Sequence, residues 1–241
     1  EDVINYKEET SIEREKTAQK GIKKDLSQMR KTIAERMSSS WEAPHVYLRS
    51  EVIVDNLLDI KSNLQQDGIK ISLTNLIAYS VVKTLEDFPE MNAHFKDYQM
   101  LLQEDINLGI AVATEKGLVV PVIEKTGELD LKELNKKINN KVKDAKNNNL
   151  TLEDFKGGTF TISNLGMYGI NEFTAILNPP EVGILAVGKT TEKLVKKEEN
   201  IVTQNIIKLT LGIDHRVIDG AVGAKFLDKL KAYIENPALM L

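Results

Sequence analysis

Two near-continuous apolar runs late in the chain, EVGILAVG (181–188) and NIIKLTLGID (205–214), read as core strands and limit the fold more than any other feature. A third strand, TFTISN (159–164), follows the glycine pair Gly157-Gly158. The last element, GAVGAKFLDKLKAYIEN (220–236), is an amphipathic helix closed by Pro237. Upstream, Val46, Leu48, Val52 and Val54 alternate against Arg49 and Glu51, as in a half-buried strand. INLGIAVAT and LVVPVIE are strand-like runs joined at Glu115-Lys116-Gly117, and Pro121 inside the second marks an edge or a bulge.

Helical spacing appears at Met29, Ile33, Ala34 and Met37, ending near Ser40. A helix capped by Asp55 is expected to stop at Gly68, and a buried helix starts at Ser72 and ends before Pro89. Leu131, Leu134, Ile138, Val142 and Ala145 mark a further helix, whose Lys and Asn residues form a solvated face. Thr151 with Asp154 resembles a capping box before a short helix. Helices and strands mix without strict βαβ alternation. The expected class is α+β, or mixed α/β layers, with a partly antiparallel sheet. Residues 1–25, rich in Glu, Lys and Gln, read as a linker or N-terminal arm, and residues 26–241 as the folded domain.

Composition removes several functions. A formal charge of −4 offers no basic field for nucleic acid or anionic lipid. No apolar run approaches the roughly 18 residues of a membrane span, and the first residues lack a signal-peptide core, so a soluble protein is expected. Cysteine is absent, which excludes disulfides, thiolate metal sites and a cysteine nucleophile from the chain. Any thiol chemistry must then use thiols that arrive on substrates. No metal is expected.

Three histidines can be weighed singly. His94 lies in the polar stretch MNAHFKDYQ and reads as a surface or loop residue, and His45, after Pro44 at a strand start, as structural. His215 ends an apolar strand inside DHRVIDG, with Asp219 four residues on, just before the final helix. An imidazole so placed can take and return a proton near neutral pH. Asp219 can equally be the helix N-cap. Ser163 ends a strand and enters a turn containing Gly166 and Gly169. Its hydroxyl could donate to a developing oxyanion or satisfy the turn backbone. GILAVGKT (183–190) matches the phosphate-loop pattern, yet its central residues, Ile184 to Val187, are a strand core that would be exposed if coiled.

RKTIAERM, INLGIAVATEKGLVVPVI, TFTISNLGMYG, NPPEVGILAVG and DHRVIDGA, all in register, resemble the catalytic domain of the dihydrolipoamide acyltransferases, from about Leu26 to the C-terminus. This is the acyltransferase component of 2-oxo acid dehydrogenase complexes, with the pyruvate and acetoin types nearest. The resemblance implies a chloramphenicol-acetyltransferase-like fold and trimers with active sites between subunits, assembled into a cage of 24 or 60 chains. It implies His215 as the catalytic base, Asp219 as its carboxylate partner, and Ser163 as the oxyanion donor contributed by the neighbouring subunit. Related enzymes imply an arginine partner for Asp219, and no arginine of this sequence is matched to that role. The implied substrates are coenzyme A and a lipoyl group carried on a lipoyl domain outside this sequence, the acyl group being acetyl. The implied partners are that lipoyl domain and the decarboxylase and dihydrolipoamide dehydrogenase components, in the bacterial cytoplasm or the mitochondrial matrix. Three rivals remain: a phosphate-loop protein built on Lys189 and Thr190, a scaffold that has lost its chemistry, and an acylase or antibiotic-modifying acetyltransferase of the same fold.

Overall fold

The structure, a computed structural model, describes residues 24–197 and 200–240. The arm expected over residues 1–25 lies, but for Lys24 and Asp25, outside the described residues. The chain divides into two compact units between Arg36 and Met37. Helix α1 (Gln28–Ser40) starts where Ser27 Oγ accepts the Arg30 N–H at 3.2 Å, and it ends at the expected residue.

The second unit is built on a mixed sheet. Its elements are β1 (His45–Ile53), α2 (Asp55–Gln66), α3 (Leu73–Asp87), the hairpin β2 (Ala93–Lys96) and β3 (Gln99–Leu102), and β4 (Leu108–Ile110). The hairpin β5 (Val112–Thr114) and β6 (Gly117–Val119) follows, then β7 (Val122–Ile123), α4 (Leu131–Lys146) and β8 (Phe160–Asn164). The chain closes with β9 (Gly183–Val187), β10 (Thr191–Lys197), β11 (Asn200–Asp214) and α5 (Gly220–Glu235).

Sheet order is β1-β11-β9-β8-β4-β7, with β10 also on β11. Only β9 with β8 and β8 with β4 pair in parallel. The two apolar runs are the central strands β9 and β11. Leu209, Leu211 and Ile213 are fully buried and share one core with Leu57 of α2, Ile77, Val81 and Leu85 of α3, Ile138 of α4, and Phe226 and Leu230 of α5. On the opposite face Ile184 packs with Ala43 and Leu177. A strand covered on both faces needs no polar alternation, which is why these runs are almost continuous.

Punctuation residues act largely as expected. Ser72 Oγ accepts the Asn75 N–H at 3.1 Å and caps α3. Gly68, at φ +82°, closes α2: its N–H reaches Gln65 O and that of Ile69 reaches Leu64 O, the paired bonds of a left-handed C-terminal cap. Pro121 stands where the chain leaves the small β5–β6 sheet to add β7 to the edge of the large one. Asp55 is a correction. It lies inside α2, and its Oδ1 accepts from the backbone and side chain of Asn205, tying α2 to β11 instead of capping. His94 is another. It sits half-buried in β2, and its Nε2 donates to Gly158 O at 2.7 Å.

Candidate active site

The turn from Asp214 to Asp219 joins the central strand β11 to α5. Asp214 is 2% exposed, and its carboxylate gathers the backbone N–H of Arg216 (3.1 Å), Nε (2.9 Å) and an Nη of the same residue (2.5 Å). The guanidinium lies 4.3 Å from the Phe95 ring centroid, and the Asp214 contact holds its pKa above the ordinary arginine value. Asp214 O also accepts from Val217 and Ile218, and Ile218 is buried. His215 therefore projects from between two fixed neighbours. Its N–H is held by Pro44 O (3.1 Å), and its imidazole is exposed, with no hydrogen bond among the described residues.

Asp219 occupies the N-cap position of α5 with extended backbone, yet its side chain makes no capping bond. Its exposed carboxylate has no ion pair among the described residues. The arginine of the same turn, Arg216, is committed to Asp214.

Ser163 ends β8 at the other end of the sheet. The turn behind it is satisfied by its neighbour: Asn164 Oδ1 accepts the Gly166 N–H (2.8 Å) and Nδ2 donates to Thr74 Oγ1 (2.9 Å). A side chain at Gly166 would stand 2.8 Å from Gly188 O, so glycine is required there. Ser163 Oγ is left without a hydrogen bond among the described residues, and it lines a cleft of about 270 Å³. The cleft runs between the start of α3, one face of α4 and the β5–β6 hairpin, walled by Ile110, Val112, Leu118, Ile138 and Val142.

The register separates the two candidates. Ser163 pairs with Ala186, and Ala186 with Thr210, five residues before His215. Five residues along a strand and two strands across amount to roughly 20 Å. Ser163 and His215 of one chain cannot share a reacting centre. His215 and Asp219 flank one turn; Ser163 does not join them within the chain.

The other candidates resolve clearly. His45 Nε2 accepts the Leu177 N–H (3.0 Å), so the proton sits on Nδ1, which donates to Ala43 O (2.7 Å); both nitrogens have structural work. The phosphate-loop pattern falls on β9, buried throughout, and the next amides are also taken, Gly188 N–H by Lys208 O and Lys189 N–H by Ile170 O. The backbone here is a strand with its next two amides paired, not a loop curled around phosphate. Among the described residues no cluster of three or more His, Cys, Asp or Glu could hold a metal ion, and no helix is long and apolar enough to cross a membrane. Asn164, Thr74, Asp214 and Arg216 escaped the sequence reading. An asparagine just before a Leu-Gly turn was the one available signal, for Asn164.

A family model described as 2-oxoacid dehydrogenases acyltransferase (catalytic domain) matches residues 18–241. The dihydrolipoyllysine-residue acetyltransferase component of the pyruvate dehydrogenase complex of Rickettsia felis is 41% identical over 219 residues, 88% of this chain and 53% of that protein. The chain thus spans about half the length of that relative. A dihydrolipoamide acetyltransferase of Azotobacter vinelandii, studied for the role of a serine, a histidine and an asparagine in its catalytic mechanism, superposes with a TM-score of 0.85 at 27% identity, covering 93% of this chain and 96% of that one. The cubic core of the pyruvate dehydrogenase multienzyme complex gives the same values. A chloramphenicol acetyltransferase, 16% identical over 83% of this chain and 94% of its own, has a TM-score of 0.56, a likeness of fold alone and the one expected.

Proposed function

The chain belongs to the family of 2-oxoacid dehydrogenase acyltransferases, matched over their catalytic domain, and we propose that it moves an acyl group between the dihydrolipoyl thiol of a lipoyl domain and coenzyme A. Acetyl is the acyl group favoured, and the pyruvate complex the assembly, because relatives such as those of Rickettsia felis and Schizosaccharomyces pombe carry those names. One observation carries the reading: a serine hydroxyl free of structural duty lines an apolar cleft, with an exposed histidine–aspartate turn at the far end of the same sheet. In the Azotobacter enzyme the named serine precedes the histidine by as many residues as Ser163 precedes His215. The asparagine there follows at the spacing of Asp219. That parallel supports His215, Ser163 and Asp219 as the working residues, the last as a carboxylate in place of an amide.

The chemistry balances on these groups. His215 takes the proton of the incoming thiol, and the thiolate attacks the thioester carbonyl, forming a new C–S bond. The carbonyl oxygen becomes an oxyanion, to which Ser163 Oγ–H donates. Collapse breaks the old C–S bond, and the departing thiolate recovers the proton from the imidazole. One thioester replaces another, so no outside energy source is needed. Asp219, unbonded beside the histidine turn, is suited to stabilise the imidazolium. Because His215 and Ser163 of one chain stand far apart, the working site is assembled between subunits, in a trimer that suits the cage-forming core of the complex. The decarboxylase and dihydrolipoamide dehydrogenase components would then be its partners, and a bacterial cytoplasm or mitochondrial matrix its setting.

Incubating the protein with free dihydrolipoamide and a panel of acyl-CoA donors tests this reading. Acetyl transfer should lead the series, with succinyl and branched acyl groups slower. No transfer from any donor would contradict it.

A further inference from the structure

Asn75, 3% exposed, stands in the first turn of α3 and lines the cleft that holds Ser163. Its Nδ2 donates to Asn135 Oδ1 (2.7 Å) and Asn139 Oδ1 (3.1 Å), both on α4. The orientation of this amide is dictated. Asn135 gives its own Nδ2 to the backbone carbonyl of Lys70 (3.1 Å), an oxygen that can only accept. Asn135 must then turn Oδ1 toward Asn75, and Asn75 must meet it with Nδ2. Asn75 Oδ1 consequently points away from α4. It accepts no hydrogen bond from the described residues, and it is not among their buried polar atoms lacking a partner, which are Asn92 Oδ1 and Thr210 Oγ1. With Nδ2 committed to α4, Oδ1 is the amide atom that Asn75 has left for the cleft it lines.

We propose that Asn75 Oδ1 receives the N–H of a secondary amide on the thiol-bearing arm that enters this cleft, and so fixes where along the cleft the reacting sulfur rests. The inference builds on the acyltransferase reading above. The cleft lining includes Ile110, Val112, Ile138 and Val142 beside the polar Asn139 and Lys146, and a carbonyl acceptor covered there by a ligand is costly unless the ligand offers it a donor. A carboxylate or phosphate offers none and would meet the oxygen with repulsion. An uncharged amide passes apolar walls at small cost and donates once. Such an amide joins a lipoyl group to its carrier lysine, and amides also interrupt the pantetheine arm of coenzyme A. The shared chemistry is the amide donor, and the two sources can be told apart.

The test uses the full chain in steady-state acyl transfer. Dihydrolipoamide is compared with the methyl ester of dihydrolipoic acid, in which oxygen replaces the N–H, and pantetheine with its analogue carrying an ester at the amide nearest the thiol. The amide should be favoured on one arm about fivefold in kcat/KM, mostly through KM, the size of one neutral hydrogen bond. That ratio should fall to about one in Asn75→Ala. A preference confined to the lipoyl pair assigns the cleft to the lipoyl arm, and one confined to the pantetheine pair assigns it to coenzyme A. Equal rates for amide and ester on both arms of the wild-type protein overturn the proposal without any variant. A preference that survives in Asn75→Ala overturns it as well. Absence of transfer from every substrate would instead strike the acyltransferase reading itself.

Discussion

A serine at the end of a strand normally spends its hydroxyl on the turn that follows. At Ser163 that duty has passed to Asn164, which holds Gly166 and Thr74. The two roles open to Ser163 from sequence alone predict opposite results, and the geometry now favours one. Ser163→Ala should lower kcat and kcat/KM together by about 10²–10³, the usual loss for an oxyanion donor, with the melting temperature unchanged. A loss of roughly 1 kcal/mol of stability with turnover preserved would return the hydroxyl to the turn. His215→Ala should lower turnover by about 10²–10⁴ with little effect on coenzyme A affinity, and near-normal turnover in stopped assays would reject it as the base. His215, Asp219 and Ser163, the residues proposed here, stand out in the sequence because motifs carry them. Asp214 and Arg216 lie in the same DHRVIDG run, but nothing in it announces that Arg216 folds back onto the buried Asp214 carboxylate and lies against Phe95, more than a hundred residues away.

Most elements could be read from sequence wherever burial imposes a period or a cap marks an end. The hairpin β2–β3 could not. Its turn uses Asp97 and Tyr98, both at positive φ, in place of the Asn-Gly or Asp-Gly that announces such a turn. β10 was hidden for another reason: TEKLVKK is rich in charge, and Glu192, Lys193, Leu194 and Lys196 are exposed, as suits an edge strand that must not recruit another. The Thr151–Asp154 signal proved half right. Asp154 accepts from the N–H and hydroxyl of Thr151, but its carboxylate also pairs with Lys141 on α4, pinning the wall that carries Ile138 and Val142. Lys141 first, then Thr151, hold the Asp154 pKa down to about 2 from 3.8. A carboxyl with a depressed folded pKa stabilises the fold above its unfolded pKa and loses that contribution as pH falls toward the folded value. Asp154→Asn should therefore cost about 0.5–1 kcal/mol at neutral pH, the figure kept small because the pair is partly exposed. Chemical denaturation at a series of pH values should show the gap closing between about pH 4 and pH 2. A gap constant across that range would remove the pair from the account.

At the scale of the whole molecule, the sheet register puts Ser163 and His215 roughly 20 Å apart in one chain. The chemistry assigned to them therefore requires a second copy. Sedimentation should find the active protein as a trimer or a multiple of it, and a fully active species of one chain mass would contradict the shared site. Nothing in the spacing of the motifs revealed this division; it follows from the antiparallel pairing of β11 with β9, which sends the two strand ends in opposite directions. The most direct measurement mixes Ser163→Ala chains with His215→Ala chains, dissociated and reassembled together. Each parent has only defective sites, but a mixed assembly forms some interfaces in which an intact Ser163 meets an intact His215. Acyl transfer well above both parents is the result predicted. Co-assembly verified by mass with no recovered activity would place both residues in one chain's site and contradict the account.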